Sequence, residues 1–285
     1  MTKTLSTPRL LASLLGCLLL VACDRGPDRS TPEGTIAAAR WAVSRGEARR
    51  IGDFLYADNV DMRRLMTRLG RFLGNVQALG TAIQIKFPTE VSTLKAQTEQ
   101  AVKEGKSTSL LTQIAGQVRG NRRAKVSLAN PSTGDARDAF DNALKSLFAD
   151  PYGWLTESET RLTSTFLTDD SVALLWDEKP ILPPIGMVMR RDSVDSKWYF
   201  SLPINLPGMG SFMPRTKEQF EIFGGIIKVF DQVVIDLRLD VESGKLSSLE
   251  SVSRAAGEKT FIPAAMTVFA YAKLMESQKK EAIKK

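Results

Sequence analysis

RLTSTFLTDDSVALLW at 161–176, GMVMRR at 186–191 and KWYFSL at 197–202 are the stretches that decide the fold. Arg161 to Leu167 alternates, Asp169-Asp170 is a turn and Ser171 to Trp176 is a short apolar strand. Glu178 to Pro184 is a proline-rich connection, Gly186 to Arg191 another strand, Asp192 to Ser196 a turn and Lys197 to Leu202 the last strand. Strands in a row with mostly short turns predict an antiparallel meander of about four strands over 160–202.

The flanks read as helix. Upstream, Met62, Leu65, Met66, Leu69, Phe72, Leu73, Val76, Leu79 and Ile83 recur in steps of three and four, the pattern of one long amphipathic helix. Gly70, Gly74 and Gly80 within it predict a kink or a close helix contact. Thr31-Pro32-Glu33 supplies an N-cap, a first-turn proline and a first-turn acid for an earlier helix running to about Arg45-Gly46, and another helix is expected to begin near Glu47. Pro88 ends the long pattern, and helices are expected over about Glu90 to Lys103, Ser109 to Val118 and Asp135 to Ala149. Downstream, Phe220, Phe223, Ile227, Phe230, Val234, Leu237 and Val241 form one stripe stopped by Gly244. Two more helices, Leu246 to Ala256 and Ile262 to Lys280, complete the chain. The expected class is α+β and helix-rich, with the meander packed by N- and C-terminal helices.

Composition narrows the chemistry. The 285 residues are 43% apolar and 25% charged, ordinary for a folded chain of one large domain or two smaller ones. Histidine is absent and both cysteines, Cys17 and Cys23, lie near the N-terminus. A Ser-His-Asp or Cys-His relay and the usual His/Cys zinc sites are therefore excluded. Carboxylate-only chemistry, a Ser-Lys pair or an all-oxygen metal site stay open, but no motif points to one, and no cofactor is expected.

Met1 to Arg9 carries Lys3 and Arg9 and no acid, and Leu10 to Ala22 is almost unbroken apolar sequence. That run fits a signal-peptide core and is shorter than the ~20 residues of a spanning helix. Leu20-Val21-Ala22-Cys23, followed by polar Asp24 to Ser30, resembles the lipobox of the bacterial lipoprotein class. The resemblance implies a signal peptide over 1–22, acylation of Cys23, a tether over 23–30 and a globular region over 31–285. That region is divisible at about residue 150 into a helical part and a sheet with helices. Leu14-Leu15-Gly16-Cys17 is a poorer match, because it leaves Leu18 to Ala22 as an exposed apolar start. Asp24 resembles the inner-membrane retention signal of enteric-type lipoproteins. The expected location is the cell envelope, with the domain facing the periplasm or exterior and close to the bilayer. Separately, the helix opened by Thr31-Pro32-Glu33 and the meander ending in Lys197-Trp198-Tyr199-Phe200 are similar to exported cone-shaped domains of the nuclear transport factor two-like class. That fold hosts enzymes, binders and inert modules alike.

Charge divides along the chain, net +8 over Asp24 to Thr133 and net −6 over Gly134 to Lys259. Arg119, Arg122, Arg123 and Lys125 form the tightest basic cluster, a candidate contact for anionic lipid headgroups or else a solvated loop. An exported address argues against nucleic acid as partner; a protein of the envelope fits better. Ile204, Leu206, Met209, Phe212 and Met213 lie in a Gly/Pro-rich connection that either packs over the sheet or contacts a partner or membrane. Asp169 with Asp170 and Glu157 with Glu159 are acid pairs more in keeping with turns and flanks than with catalysis. Trp41, Trp154, Trp176 and Trp198 are read as core anchors, with a cavity lining as the alternative. The sequence favours a binding or interaction module at the membrane surface over a ligand- or lipid-carrying domain, and either over an enzyme.

The lipobox reading predicts that Cys23→Ala abolishes metabolic labelling with a radioactive fatty acid and leaves the precursor uncleaved. Normal processing and labelling of that variant would refute it.

Overall fold

The computed structural model describes residues 26–103, 145, 148–156, 161–176, 178–180, 187–202 and 214–284. The expected α+β class is what it shows. Helix α1 spans Pro32–Ser44 and opens as the Thr-Pro-Glu signature requires: the Gly34 N–H donates to the Thr31 hydroxyl oxygen at 3.0 Å. Ala48–Phe54 is a 3-10 helix. Helix α2, Val60–Lys86, is capped by Asn59 and carries the predicted stripe, with Met62, Leu65, Met66, Val76, Leu79 and Ile83 buried. Pro88 does more than end that helix. It begins α3, Pro88–Lys103, directly after Phe87. One turn of helix, α4, covers Gly153–Thr156.

The meander is β1 Leu162–Thr168, β2 Ser171–Trp176, β4 Met187–Arg191 and β5 Trp198–Ser201, antiparallel in that order. A two-residue strand, β3 Lys179–Pro180, pairs with the end of β2 inside what reads as a plain proline-rich connection. Trp198 and Phe200 lie on the face that packs against Ile36 of α1, together with Leu162, Val172, Leu174 and Met189. The free edge of β5 is covered. The Trp198 N–H donates to the Arg29 carbonyl at 3.0 Å, and the Tyr56 N–H donates to the Phe200 carbonyl at 2.8 Å. Leu55 adds a parallel bridge to Phe200, so the edge offers less open backbone to another strand.

Helix α5, Lys217–Glu242, opens with a Thr216/Gln219 capping box, and Gly244 follows its end at φ +78°. It runs parallel to α2. Met62, Leu65 and Met66 pack with Phe220 near the two starts, and Leu79 and Ile83 with Leu237 and Val241 near the two ends. Helix α6, Leu249–Lys284, is continuous where the sequence predicts two helices. Pro263 removes one backbone hydrogen bond there, a cost of about 3 kcal/mol. Contacts against neighbouring helices on both sides of it hold the helix in one piece: Val252 and Ala256 before, and Tyr271 after, edge-on to Phe223 at 5.8 Å.

The three glycines of α2 are close contacts. A Cβ on Gly70 would overlap the Arg49 carbonyl oxygen, and one on Gly52 of the 3-10 helix the Met66 carbonyl oxygen. A Cβ on Gly74 would stand 2.9 Å from the Arg49 Cβ, and one on Gly80 2.9 Å from Pro151. Gly225 of α5, by contrast, has open space where its side chain would be. Gly70→Ala is therefore expected to destabilise the protein by about 1–3 kcal/mol through overpacking, whereas Gly225→Ala should stabilise it by about 0.5–1 kcal/mol. Urea unfolding of both variants checks this; a Gly70→Ala protein as stable as the parent would refute the close crossing.

Candidate functional site

Several residues singled out by sequence lie outside the described residues: Cys23, the basic cluster Arg119, Arg122, Arg123 and Lys125, the acids Glu157 and Glu159, and the apolar connection from Ile204 to Met213. Asp169 and Asp170 form the β1–β2 turn, where the Asp170 carbonyl accepts the Arg191 N–H at 2.9 Å. That is a structural role. Trp198 is a core anchor, 3% exposed. Trp41 and Trp176 are half-buried and stacked, Trp41 under the Arg45 and Arg50 guanidinium groups and Trp176 under that of Arg161. For Trp154 only the backbone, in α4, is described. Among the described residues no group of His, Cys, Asp and Glu side chains could hold a metal ion. No helix of the described residues is long and apolar enough to cross a membrane.

The polar arrangement that stands out surrounds Tyr199 and Tyr56, side by side where the covering segment meets β5. Their rings meet edge to face, centres 6.5 Å apart. Three guanidinium groups approach them. Arg29 lies 4.3 Å from the Tyr199 ring centre and 4.9 Å from that of Phe54. Arg63, near the start of α2, lies 5.7 Å from the Tyr199 ring centre, and Arg190 of β4 5.9 Å from that of Tyr56. Arg190 reaches the site because it pairs across the sheet with Tyr199, so both side chains leave the same face.

Each arginine is held in a different way. Arg29 donates from Nη2 to the Trp198 carbonyl at 3.1 Å, while its Nε is buried and lacks an acceptor among the described residues. Arg63 donates from Nη1 to the Leu55 carbonyl at 3.2 Å. Arg190 is exposed. None of the three makes an ion pair with a carboxylate among the described residues. The carboxylate beside them, Asp195, is engaged elsewhere: its Oδ2 accepts the Tyr199 hydroxyl at 2.6 Å and pairs with the Lys197 ammonium at 3.6 Å.

Burial pushes the Tyr199 phenol above its ordinary value, and the bond to Asp195 adds to this against the opposing charge of Arg29. Partial burial also pushes Asp195 up, but the Tyr199 hydroxyl, the Lys197 backbone N–H and the Lys197 charge outweigh it and hold the carboxyl below its ordinary 3.8. Cation–aromatic contacts are worth about 0.5–1 kcal/mol at exposed sites and more when desolvated. The long-range meeting of residues 29, 54, 56, 63, 190 and 199 is invisible in the sequence, where no two of the arginines are neighbours.

A groove of about 330 Å³ between α2 and α5 is lined by Gly74, Ala78, Ile85 and Arg238 among others, and Ile85 is 72% exposed at it. Arg238 there faces Glu242 at 3.9 Å, and its Nε is buried without a hydrogen-bond acceptor among the described residues.

A carboxyl with a depressed folded value stabilises the fold above its unfolded value, and that contribution disappears as the pH falls through the folded one. The stability difference between the parent and Asp195→Asn should therefore be full at pH 7 and shrink below about pH 3.8. Thermal unfolding between pH 7 and about pH 2 measures it; a difference that does not change with pH would show that the Asp195 charge is not what the Tyr199–Lys197 arrangement uses.

No family model, no curated protein and no solved structure matches the chain.

Proposed function

We propose that the chain is an envelope lipoprotein, acylated on Cys23, whose domain is a binding or interaction module held against the bilayer. The observation that carries this reading is the fate of the chain just after that cysteine. Gly26 lies so close to the Trp41 ring that a Cβ would come within 2.8 Å of it. Arg29 pairs through its backbone with Trp198, and the Asp28 carboxylate accepts from both the N–H and the hydroxyl of Ser30. A tether built into the fold from Gly26 onward leaves little free spacer. From Cys23 to Arg29 the extended chain reaches only about 20–22 Å. With lipid on Cys23, the β5 edge and the β4–β5 turn would be held near the headgroups.

The inner-membrane retention that Asp24 suggests belongs to the same proposal, as does the likeness to cone-shaped domains of the nuclear transport factor two-like class. The latter is supported by α1 packing on the sheet, while α2, α5 and α6 exceed that pattern. A packed inner sheet face, with Val172 and Met189 fully buried, favours binding at the surface over carriage of a ligand inside the sheet.

A photoreactive residue at Val194, 93% exposed in the β4–β5 turn, should give discrete lipid or protein adducts when the tethered chain is irradiated in its own membrane. The same residue at Lys245, beyond the far end of α5, should give far fewer. Equal labelling at both positions would overturn the proposed orientation.

A further inference from the structure

We propose that Arg29, Arg63 and Arg190, gathered on the Tyr56–Tyr199 ring pair, form a binding site for a phosphate group. Three like charges around two adjoining rings repel one another, and among the described residues no carboxylate is paired with any of them. Asp195 is already committed to Tyr199 and Lys197. Further acids of this region, Asp28 and Asp192, are engaged in local turns, Asp28 with Ser30 and Asp192 with the Val194 N–H. Among the described residues, then, no anion is paired with these three cations.

The geometry selects its class. Arg63 and Arg190 come from different elements, the start of α2 and β4, and each retains N–H donors beyond the contacts it makes. The Arg29 guanidinium, near both the Phe54 and Tyr199 rings and less exposed than Arg190, contributes charge and stiffness. Planar forks carried by separate elements beside adjoining rings suit a tetrahedral anion with several oxygens better than a single carboxylate edge. The Tyr199 phenol beside them, its proton given to Asp195 in a hydrogen bond, adds no negative charge of its own.

Two sources of that phosphate share this chemistry, a phospholipid headgroup and a free phosphate. The headgroup is favoured by the approximately 20–22 Å reach from Cys23 to Arg29, and this preference rests on the lipid-anchor reading. The site itself does not, since it is built from residues 29 to 199 whatever occupies Cys23.

The test is calorimetric titration of the full chain in neutral detergent with three probes: inorganic phosphate, dihexanoyl phosphatidylglycerol below its micelle concentration, and dihexanoyl phosphatidylcholine. Saturable binding of inorganic phosphate identifies a free-phosphate site. Binding of a phospholipid without inorganic phosphate identifies a headgroup site, and the two lipids report whether net negative charge is required. In either case the double variant Arg63→Gln/Arg190→Gln should bind at least tenfold more weakly while still unfolding in a single cooperative transition. Arg64→Gln, an exposed neighbour on α2 paired with Asp61, should bind like the parent. If the double variant does not fold, Arg190→Gln alone, at an exposed position, should still weaken binding severalfold. Binding by none of the probes, or binding unchanged in the arginine variants, overturns the proposal. The mass of the N-terminal peptide reads acylation of Cys23 separately, so loss of one reading is not mistaken for loss of the other.

Discussion

The contact between Gly52 and Gly70 is the constraint on which the rest depends. Two backbones meet there with no side chain between them, because a Cβ on either glycine would overlap a carbonyl oxygen of the other segment. This lets the 3-10 helix lie directly on α2 and sets the direction in which the chain leaves it. Phe54, Leu55 and Tyr56 are thereby delivered to the β5 edge, where Leu55 bridges Phe200 and the Tyr56 N–H reaches its carbonyl. Phe200 then packs with three groups of core residues, those of α1, of the sheet and of the α2–α5 junction. A spacer of one methyl at the crossing would have to be absorbed at each of these contacts, since close-packed interiors transmit small displacements.

The same crossing gives the molecule two unlike ends. At the end of α2 near Val60 stand the sheet, the docked N-terminal segment and the tyrosine–arginine arrangement. At the other, about 40 Å along a helix of this length, α2, α5 and the start of α6 form an aliphatic core of Leu79, Ile83, Leu237, Val241 and Val252. Polar work there is structural: Asp240 accepts from both Lys245 and Lys259, at 3.1 and 2.7 Å, and ties the α5–α6 turn together. The end that gathers Arg29, Arg63 and Arg190 is the end into which the chain from Gly26 onward is built. That coincidence links the proposed anchor to the proposed site.

Much of this architecture was legible because it is written locally. The α2 stripe, the cap at Thr31, the turn at Asp169-Asp170 and the alternation of the meander each follow from residues a few positions apart. The glycines of α2 were legible as an alternative, kink or contact, and only the position of Arg49, Gly52 and Pro151 decides for contact. The continuity of α6 was not legible, since the contacts of Val252 and Tyr271 that support it on either side of the expected break are made to other helices. The tyrosine–arginine site had no sequence signal, since its members come from the tether, the 3-10 exit, α2, β4 and β5. Its nearest trace was the alternation that puts Arg190 and Tyr199 on one face of the sheet. The basic run from Arg119 to Lys125, by contrast, is compact in sequence and stands out there.

The charge states at this site bear on what it can do. Arginine stays protonated across the physiological range. Burial and the Asp195 bond keep Tyr199 in its neutral form there, while the surrounding donors keep Asp195 ionised. General acid–base catalysis needs a group whose proton is easily moved near the working pH, and each of these is fixed to one side of that range. With no histidine in the chain, none can be brought in from a neighbouring loop. What remains is a stiff set of donors and aromatic faces with fixed positive charge. Such a set is suited to holding an anion, in keeping with the proposed recognition at a surface.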